Sequence, residues 1–323
     1  MLTIARYSEI VNDHISRIDY PASPRGLYAP IEYSLDAGGK RLRPVLTLAV
    51  CDALSGNPLQ AISQALGVEM FHNFTLLHDD LMDHSPVRRS RPTVYVKWDE
   101  RTAILSGDAM LTMAGMLMRG GSARQLDAES LSTLLNLYDR TAMEVYEGQQ
   151  YDMEFESRTD VSVAEYMEMI RLKTSVLLGC ACRLGAIMAG AGEAVQLAMY
   201  RYGEQLGLAF QMQDDYLDTF GDAATFGKPI GGDILNEKKT WLLISATRKA
   251  HGSSLSEALA LADPQAKIDA VRTIYIQLGL DRECRELVTR YSTEAINALP
   301  ASLSPQARQF FTDLARNAET RSK

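Results

Sequence analysis

Apolar residues along this chain recur at the spacing of α-helices, and the alternation of apolar and polar positions typical of β-strands is nearly absent. One stripe advances by three or four residues at each step and consists of Leu66, Met70, Phe74, Leu77 and Leu81. A second stripe lies between Tyr200 and Leu217, where Gly203 and Gly207 leave room for a neighbouring helix to approach closely. Both stripes predict amphipathic helices.

Clusters of Gly, Pro and polar residues divide the chain into segments of about 15 to 30 residues, a usual length for buried or half-buried helices. The sequence contains no tandem repeat of fixed period and no Gly-, Ser- or Pro-rich linker that would separate domains. We therefore predict an all-α fold in which residues 1–323 form a single domain of about ten or more helices.

The composition excludes several classes of protein. Hydrophobic residues make up 46% of the chain and charged residues 23%, which is typical of a globular protein and excludes a largely disordered one. The chain has 33 Lys and Arg against 41 Asp and Glu, a net charge of −8. Because nucleic-acid-binding proteins are usually basic, we expect no nucleic-acid partner. The four cysteines are too few for a disulfide framework, and we expect buried thiols.

Targeting and membrane signals are weak in this sequence. The first 25 residues contain acidic side chains and no apolar block, so we expect no signal peptide. The longest apolar-rich stretch runs from Ala109 to Met118 and is shorter than the roughly 18 residues that a membrane span needs. We therefore expect no integral membrane segment and predict a cytoplasmic protein.

The strongest chemical signal is a pair of similar acidic clusters. We call residues 79–83 (Asp-Asp-Leu-Met-Asp) the first pentad and residues 214–218 (Asp-Asp-Tyr-Leu-Asp) the second pentad. On a helix, the first and last Asp of each pentad share a face. A solvated surface is the ordinary explanation of a single acidic cluster, but here each pentad ends a strongly apolar segment.

Carboxylates crowded on one helical turn repel and raise one another's pKa unless a cation neutralises them. Aspartate oxygens suit Mg²⁺, which takes one or two carboxylates and completes its shell with water and phosphate oxygens. The two pentads therefore predict several Mg²⁺ ions around one diphosphate.

Basic residues form local groups although the net charge is negative. The groups are Lys40, Arg41 and Arg43 beside a glycine pair, Arg88, Arg89 and Arg91 just after the first pentad, and later Lys173, Lys228, Lys238 and Lys239. Taken alone, each of these groups would be explained as an ordinary basic patch on the protein surface. Together with two pentads they predict anion binding, because Arg can grip phosphate through two parallel hydrogen bonds.

In combination these residues resemble the trans-isoprenyl diphosphate synthases, also called polyprenyl synthetases. The resemblance runs from Gly38 to about Thr240. All of the family's motifs occur there, in the family's order. The motifs are Gly39–Pro44, His78 with the first pentad, Arg88-Arg89 with Pro92-Thr93, Gly148-Gln149, Lys173-Thr174, Phe210–Asp218, Gly227-Lys228 and Lys238–Thr240. The resemblance implies the isoprenoid synthase fold, a helical bundle around a deep central cavity, and a homodimer.

The implied reaction is a Mg²⁺-dependent, head-to-tail condensation of isopentenyl diphosphate with an allylic diphosphate (dimethylallyl, geranyl or farnesyl). It gives a short-chain all-trans prenyl diphosphate and pyrophosphate. The resemblance also implies about three Mg²⁺ ions per active site, held by carboxylates and diphosphate oxygens.

The resemblance assigns roles residue by residue. The implied catalytic residues are Asp79, Asp83, Asp214 and Lys173. The implied metal site contains Asp79, Asp83 and Asp214 as direct ligands, supported by Asp80, Asp215 and Asp218. The isopentenyl diphosphate site matches Lys40, Arg43, His72 and Arg89. The allylic diphosphate site matches Arg88, Lys173, Thr174, Gln211, Lys228 and Lys238.

Residues before the first pentad bear on product length. In the family, a large aromatic residue four or five positions before the first Asp stops chain growth. Phe74 and Phe71 precede Asp79 by five and eight residues, about 7.5 and 12 Å along a helix, while Thr75 at minus four is smaller. On an ideal helix Phe74 is rotated by about 140° from Asp79 and Phe71 by about 80°, so Phe71 is an alternative floor. We therefore predict a short-chain product, C20 ahead of C15.

Four alternatives remain open at this point. A longer-chain polyprenyl synthase would share every motif. The His78-Asp79 doublet also fits an HD-type metal phosphohydrolase, which would need further His ligands and would leave the second pentad unexplained. A terpene cyclase usually has a different second metal motif. A non-catalytic partner subunit commonly loses aspartates from one pentad, and both are complete here.

Overall fold

The computed structural model of the chain describes residues 1–120, 126–221 and 230–320. The helices of the first part are α1 (Ile4–Ile15), α2 (Arg25–Asp36), α3 (Leu42–Ser55), α4 (Ile62–Met82), α5 (Val94–Lys97), α6 (Glu100–Arg119) and α7 (Ala128–Ser157). Those of the second part are α8 (Val163–Ile170), α9 (Val176–Met188), α10 (Glu193–Phe220), α11 (Gly232–Leu235), α12 (Trp241–Lys249), α13 (Ser254–Leu259), α14 (Pro264–Gln277), α15 (Leu280–Ala298) and α16 (Pro305–Thr320). The all-α prediction is confirmed, with more than ten helices in these described ranges.

Two short segments depart from the α-helical hydrogen-bonding pattern. Pro58–Ala61 forms a 3₁₀ turn before α4, and Arg171–Ser175 forms a π-helical turn between α8 and α9. Isolated π turns inside helices occur frequently at functional sites. The π turn here carries Lys173 and Thr174, two of the residues that the sequence places at the allylic site.

The chain divides into two compact units. The first unit contains Met1–Asp139 and Cys180–Leu197, and the second contains Arg140–Gly179 and Ala198–Lys323. The first pentad therefore belongs to the first unit and the second pentad to the second unit. The single domain over residues 1–323 stays a prediction.

In the first unit, α4 packs against α1, α2, α3 and α6. The predicted apolar stripe lies on this helix, but α4 is not simply amphipathic, because Gln64, Glu69 and Asn73 are buried as well. Each has a buried partner: Gln64 donates to the carbonyl of Met118, and Glu69 forms an ion pair of 2.6 Å with Arg41 and accepts from Asn73. Buried polar groups persist where such partners satisfy them.

In the second unit, α15 packs against α12, α14 and α16. Tyr202 on α10 donates a hydrogen bond of 2.8 Å to the backbone carbonyl of Phe311 on α16. Gly207, also on α10, lies against the π turn, where an added Cβ would be 2.6 Å from the Cα of Ser175. The prediction that a small residue at this position permits close approach is confirmed.

A small antiparallel hairpin follows the first pentad and was not predicted from the sequence. Its strands are β1 (Val87–Arg88) and β2 (Arg91–Pro92), with Arg88 opposite Arg91. The two turn residues, Arg89 and Ser90, have φ values of 51° and 60°. Such a turn favours Gly or Asn, so this sequence lacks the usual hairpin signal.

Within the described ranges, none of the helices combines the length and the apolar character that crossing a membrane requires. The four cysteines are free and buried, as predicted.

Candidate active site

The first pentad lies at the C-terminal end of α4. The backbone amide of Asp83 donates to the carbonyl of Asp79 at 2.8 Å, so the two residues stand one helical turn apart, as predicted. Asp79 is half-buried and Asp83 is exposed. Because the C-terminal end of a helix already carries partial negative charge, two carboxylates there favour a bound cation.

Arg88 on the hairpin places a positive charge beside two carboxylates of the first pentad. Its Nε donates to Asp80 at 2.7 Å, and its Nη2 lies 3.3 Å from Asp79. Asp80 is buried, and this burial holds its pKa above the usual value, although the Arg88 charge acts in the opposite direction. Asp80 therefore anchors Arg88 beside the half-buried Asp79.

Two basic motifs converge in the first unit. Nη1 of Arg43 donates to Nε2 of His72 at 3.1 Å, and the Arg89 guanidinium donates to the carbonyl of Gly38. Burial lowers the pKa of Arg43 to about 10. Burial, followed by the charges of Arg43 and Arg89, holds the pKa of His72 well below its usual value, so this ring is neutral. Lys40, three residues before Arg43, is exposed.

Arg41 does not belong to this group of basic residues. Its side chain turns inward to Glu69, and its backbone has a left-handed φ of 50° at the start of α3. This conformation separates the three neighbouring cations, because Arg41 becomes a buried anchor while Lys40 remains exposed.

A cleft in the first unit lies between the end of α4 and the hairpin. Its lining includes three arginines and one carboxylate, which are Arg88, Arg89, Arg91 and Asp80. Since Asp80 is already paired with Arg88, the cleft has positive charge available for an anion.

The second pentad lies in the last turns of α10. Asp214 and Asp218 are half-buried, one turn apart, whereas Asp215 is buried. The backbone amide of Asp233 donates to the Asp218 carboxylate at 2.9 Å. Burial raises the pKa of Asp215 to about 7 and that of Asp233 to about 6.

The π turn brings two predicted allylic-site residues next to polar partners of the same unit. Nζ of Lys173 lies 2.6 Å from Asp152 on α7, and the Thr174 hydroxyl donates to the side chain of Gln211 at 3.3 Å. Burial would raise the pKa of Asp152, but the charges of Lys173 and Lys238 outweigh it and hold that pKa below its usual value. Lys238 is exposed. Lys228, together with Gly227, lies outside the described residues.

The donor set fits magnesium. In the described part of the chain, no three His, Cys, Asp or Glu side chains already converge on one point that could hold a metal ion. Magnesium does not need such convergence, since it binds through one or two carboxylates and takes waters and phosphate oxygens for the rest. Asp79 with Asp83, and Asp214 with Asp218, each offer a pair of hard oxygen donors.

Comparison with known proteins shows the family. The family model described as polyprenyl synthetase matches residues 24–278.

The chain belongs to the polyprenyl synthetase family.

Several members of the polyprenyl synthetase family are similar to this chain. A short chain isoprenyl diphosphate synthase of Methanothermobacter thermautotrophicus is 39% identical over 248 residues, 76% of this chain and 75% of the relative. A geranylgeranyl diphosphate synthase of Methanosarcina mazei is 40% identical over 228 residues, 70% and 69% of the two chains. A geranylfarnesyl diphosphate synthase of Natronomonas pharaonis is 34% identical and covers 97% of this chain and 95% of its own.

Solved structures agree with the fold of a polyprenyl synthetase. A crystal structure of a geranylgeranyl pyrophosphate synthase superposes with a TM-score of 0.92 at 42% identity and covers 100% of both chains. A polyprenyl synthase from Caulobacter crescentus CB15, complexed with calcium and isoprenyl diphosphate, has a TM-score of 0.83 at 29% identity. It covers 99% of this chain and 97% of its own. The predicted isoprenoid synthase fold and the predicted prenyltransferase class are confirmed.

The packing of His78 agrees with this assignment. Its Nε2 lies 3.2 Å from the backbone carbonyl of Ile104, and its ring stacks edge-on against Phe74 at 4.8 Å. Gly107 on α6 makes room for the imidazole, since a Cβ there would overlap it. His78 thus has a packing role in this polyprenyl synthetase, and an HD-type metal site is not needed to explain it.

Sequence reasoning missed four residues around the site. They are Glu69, Asp152, Tyr166 and Asp233, which contact Arg41, Lys173, Asp215 and Asp218 respectively. A weak signal existed for Asp152, which follows Gly148 by four residues and so shares its helix face. The other three contacts join residues from 15 to 49 positions apart, and no local pattern reveals them.

Proposed function

We propose that this prenyltransferase condenses isopentenyl diphosphate with an allylic diphosphate in a Mg²⁺-dependent, head-to-tail reaction, releasing pyrophosphate. One observation carries the proposal: each pentad lies near the end of a long helix with a pair of carboxylates, and each unit holds a cation in an ion pair, with Asp79 in the first unit and with Asp152 in the second. Arg88 plays that part in the first unit and Lys173 in the second. Family membership supports the same reaction class.

The residues divide the work between two anions. Asp79, Asp83 and Asp214 hold the metal ions on the allylic diphosphate, and Asp80, Asp215 and Asp218 support them. Arg88, Lys173, Thr174, Gln211, Lys228 and Lys238 bind that diphosphate directly. Lys40, Arg43, His72 and Arg89 bind isopentenyl diphosphate. Neutral His72 accepts from Arg43 through Nε2, which orients the guanidinium toward its anion.

Magnesium, when bound, neutralises the diphosphate and stabilises the charge that develops on it, with about three ions per site. Arg88 and Lys173 add fixed positive charge for the leaving group, which gains negative charge as the C–O bond breaks. They therefore stabilise the transition state more than the ground state.

The bond changes balance without a further reactant. The C–O bond electrons leave with pyrophosphate and an allylic carbocation remains. The double bond of isopentenyl diphosphate attacks this carbocation and forms the new C–C bond. The attack leaves a tertiary carbocation on the isopentenyl unit. Loss of a proton from the adjacent carbon to the released pyrophosphate leaves its C–H electron pair as the new double bond.

We propose a short-chain product, C20 ahead of C15. Phe71 is fully buried and stacks on Phe74 at 5.6 Å and edge-on against Tyr138 of α7 at 5.7 Å. Phe74 and Phe71 lie about one and a half and two helical turns before Asp79, so this aromatic group is suited to act as a floor. A longer-chain product is the alternative, and relatives include geranylfarnesyl diphosphate synthases.

A homodimer and a cytoplasmic location complete the proposal. Both rest on the family resemblance and on the sequence. Light scattering of the purified full chain tests the dimer. We expect a mass of twice the 35.7 kDa of one chain.

The reaction is tested by incubating the purified chain with labelled isopentenyl diphosphate, Mg²⁺ and dimethylallyl, geranyl or farnesyl diphosphate in separate reactions. We expect label in dephosphorylated products of up to 20 carbons, identified by chromatography. Absence of any labelled product with all three allylic substrates would contradict the proposed function. Products of 30 carbons or more would contradict the short-chain part alone.

Gly148 should be needed for the position of Lys173. A Cβ at this residue would lie within 2.7 Å of the backbone of Leu172 and Lys173, so Gly148→Ala must push the π turn away from α7. We expect the KM for the allylic diphosphate to rise about tenfold or more, with a loss of stability of about 1–3 kcal/mol from overpacking. The KM for isopentenyl diphosphate should change little, since its residues belong to the first unit.

Steady-state kinetics with each substrate varied in turn measure this difference. Gly192→Ala is the matched control, because a Cβ there meets no atom within 4 Å. Equal changes of both KM values in Gly148→Ala would show that the π turn does not set allylic binding.

A further inference from the structure

The buried carboxylate of Asp215 is held from two sides. Its Oδ2 accepts a hydrogen bond from the hydroxyl of Tyr166 on α8, and its Oδ1 accepts from Nε2 of Gln211 at 3.1 Å. Gln211 in turn accepts from the hydroxyl of Thr174 at 3.3 Å. A continuous hydrogen-bonded chain therefore runs from Tyr166 through Asp215 and Gln211 to Thr174, all within the second unit.

Tyr166 is placed so that its hydroxyl serves this carboxylate. The side chain is 1% exposed, and its hydroxyl donates to the buried Asp215 carboxylate. Tyr166 precedes Lys173 by seven residues, two helical turns along the segment that continues into the π turn. Removing a hydrogen-bond donor from a buried carboxylate leaves it unsatisfied and costs free energy, so the carboxylate no longer keeps its position.

We propose that Tyr166 is a positioning residue for the second pentad. By fixing Asp215 it sets the rotation of the last turns of α10, and therefore the direction in which Asp214 and Asp218 present their oxygens. Through Gln211 it also keeps Thr174 and the pentad in register. Tyr166 itself touches neither substrate nor metal, and the inference rests on the proposed function, since the pentad is taken to bind metal and diphosphate.

Tyr166→Phe removes the hydroxyl and keeps the ring. We expect the Mg²⁺ concentration for half-maximal activity and the KM for the allylic diphosphate to rise about tenfold, the effect of losing one hydrogen bond to a charged group. The KM for isopentenyl diphosphate should stay within about twofold, because its residues belong to the first unit whereas this chain of hydrogen bonds belongs to the second.

A binding measurement without turnover separates this inference from the proposed function. Isothermal titration of the full chain with Mn²⁺ in the presence of inorganic pyrophosphate reports on the pentad directly. We expect Tyr166→Phe to weaken Mn²⁺ binding about tenfold relative to the unchanged chain. A chain that makes no prenyl product but shows this loss would overturn the reaction and keep the positioning role.

Tyr202→Phe is the matched control. Tyr202 is also a buried tyrosine of the second unit and lies twelve residues before Asp214 on α10. Its hydroxyl donates to the backbone carbonyl of Phe311, outside the chain of hydrogen bonds at Asp215. We expect a similar loss of thermal stability and no change in Mn²⁺ binding. If Tyr166→Phe and Tyr202→Phe weaken Mn²⁺ binding equally, the effect is a general consequence of disturbed packing, and the inference is overturned.

Asp215→Asn supplies a second route if Tyr166→Phe folds poorly. If Tyr166 acts through Asp215, the asparagine variant alone weakens Mn²⁺ binding, and adding Tyr166→Phe changes it little further. Full additivity of the two substitutions would contradict the inference, as would unchanged Mn²⁺ binding in Asp215→Asn.

Discussion

Replacing Asp79 or Asp214 with alanine should lower turnover by at least about 10²–10³-fold, the loss that follows removal of one transition-state stabiliser. Asp79 is half-buried beside Arg88 at the end of α4, and Asp214 occupies the matching position near the end of α10. Each is proposed to hold a metal ion on the diphosphate that leaves. Binding of isopentenyl diphosphate should change less, because its anchors are Lys40 and Arg43.

The measurement is kcat from initial rates at saturating substrates and Mg²⁺, with circular dichroism to confirm folding. Matched controls are Asp108→Ala in the first unit and Asp269→Ala in the second, which remove exposed aspartates from helix surfaces. These controls should keep kcat within about twofold, as surface changes do. Near-normal turnover in either pentad variant would show that the two pentads do not share the chemistry.

Opening the aromatic floor should lengthen the product. Phe71→Ala or Phe74→Ala removes a ring from the buried stack with Tyr138, and the prenyl chain can then grow into the vacated space. We expect a shift of the main product by at least one five-carbon unit. The variant with the longer products identifies the floor, a question that the sequence leaves open between the two residues.

Chromatography of dephosphorylated products measures the shift. Each replacement of a buried phenylalanine costs about 3–5 kcal/mol of stability, so the assays belong at low temperature. Phe311→Ala is the control, since it removes an equally buried ring from α16 and should leave product length unchanged. No lengthening in either Phe71→Ala or Phe74→Ala would refute the floor.

Much of the fold was accessible from spacing alone. The apolar stripes predicted α4 and α10, and each pentad lies near the C-terminal end of its helix, directly after a strongly apolar segment. The close approach allowed by Gly207 was predictable for the same reason. Local periodicity is a property of each helix, and it survives in the folded chain.

Other features depend on contacts between residues far apart in the sequence. The burial of α4 on several sides follows from Arg41 pairing with Glu69 across 28 positions. The hairpin after the first pentad escaped prediction because Arg89 and Ser90 adopt left-handed conformations that favour glycine or asparagine. The π turn at Lys173 depends on Gly148 and Gly207 of two other helices. None of these has a short-range pattern.

The site shows the same division. The sequence placed Arg88 beside the first pentad, but its ion pairs with Asp79 and Asp80 required the hairpin geometry. The family resemblance separated Asp79, Asp83 and Asp214 as direct ligands from the supporting Asp80, Asp215 and Asp218, but it gave no physical reason for the division. The structure separates the buried Asp80 and Asp215, which anchor other side chains, from the more accessible Asp79, Asp83 and Asp214.

The central claim is that the two pentads drive metal-dependent prenyl transfer, and the most direct measurement is the ratio of pyrophosphate released to isopentenyl units incorporated. With Mg²⁺ present, the account predicts one pyrophosphate for every unit joined, no turnover after EDTA, and full recovery when excess Mg²⁺ is restored. Pyrophosphate release without incorporation, or incorporation that persists in EDTA, would contradict it.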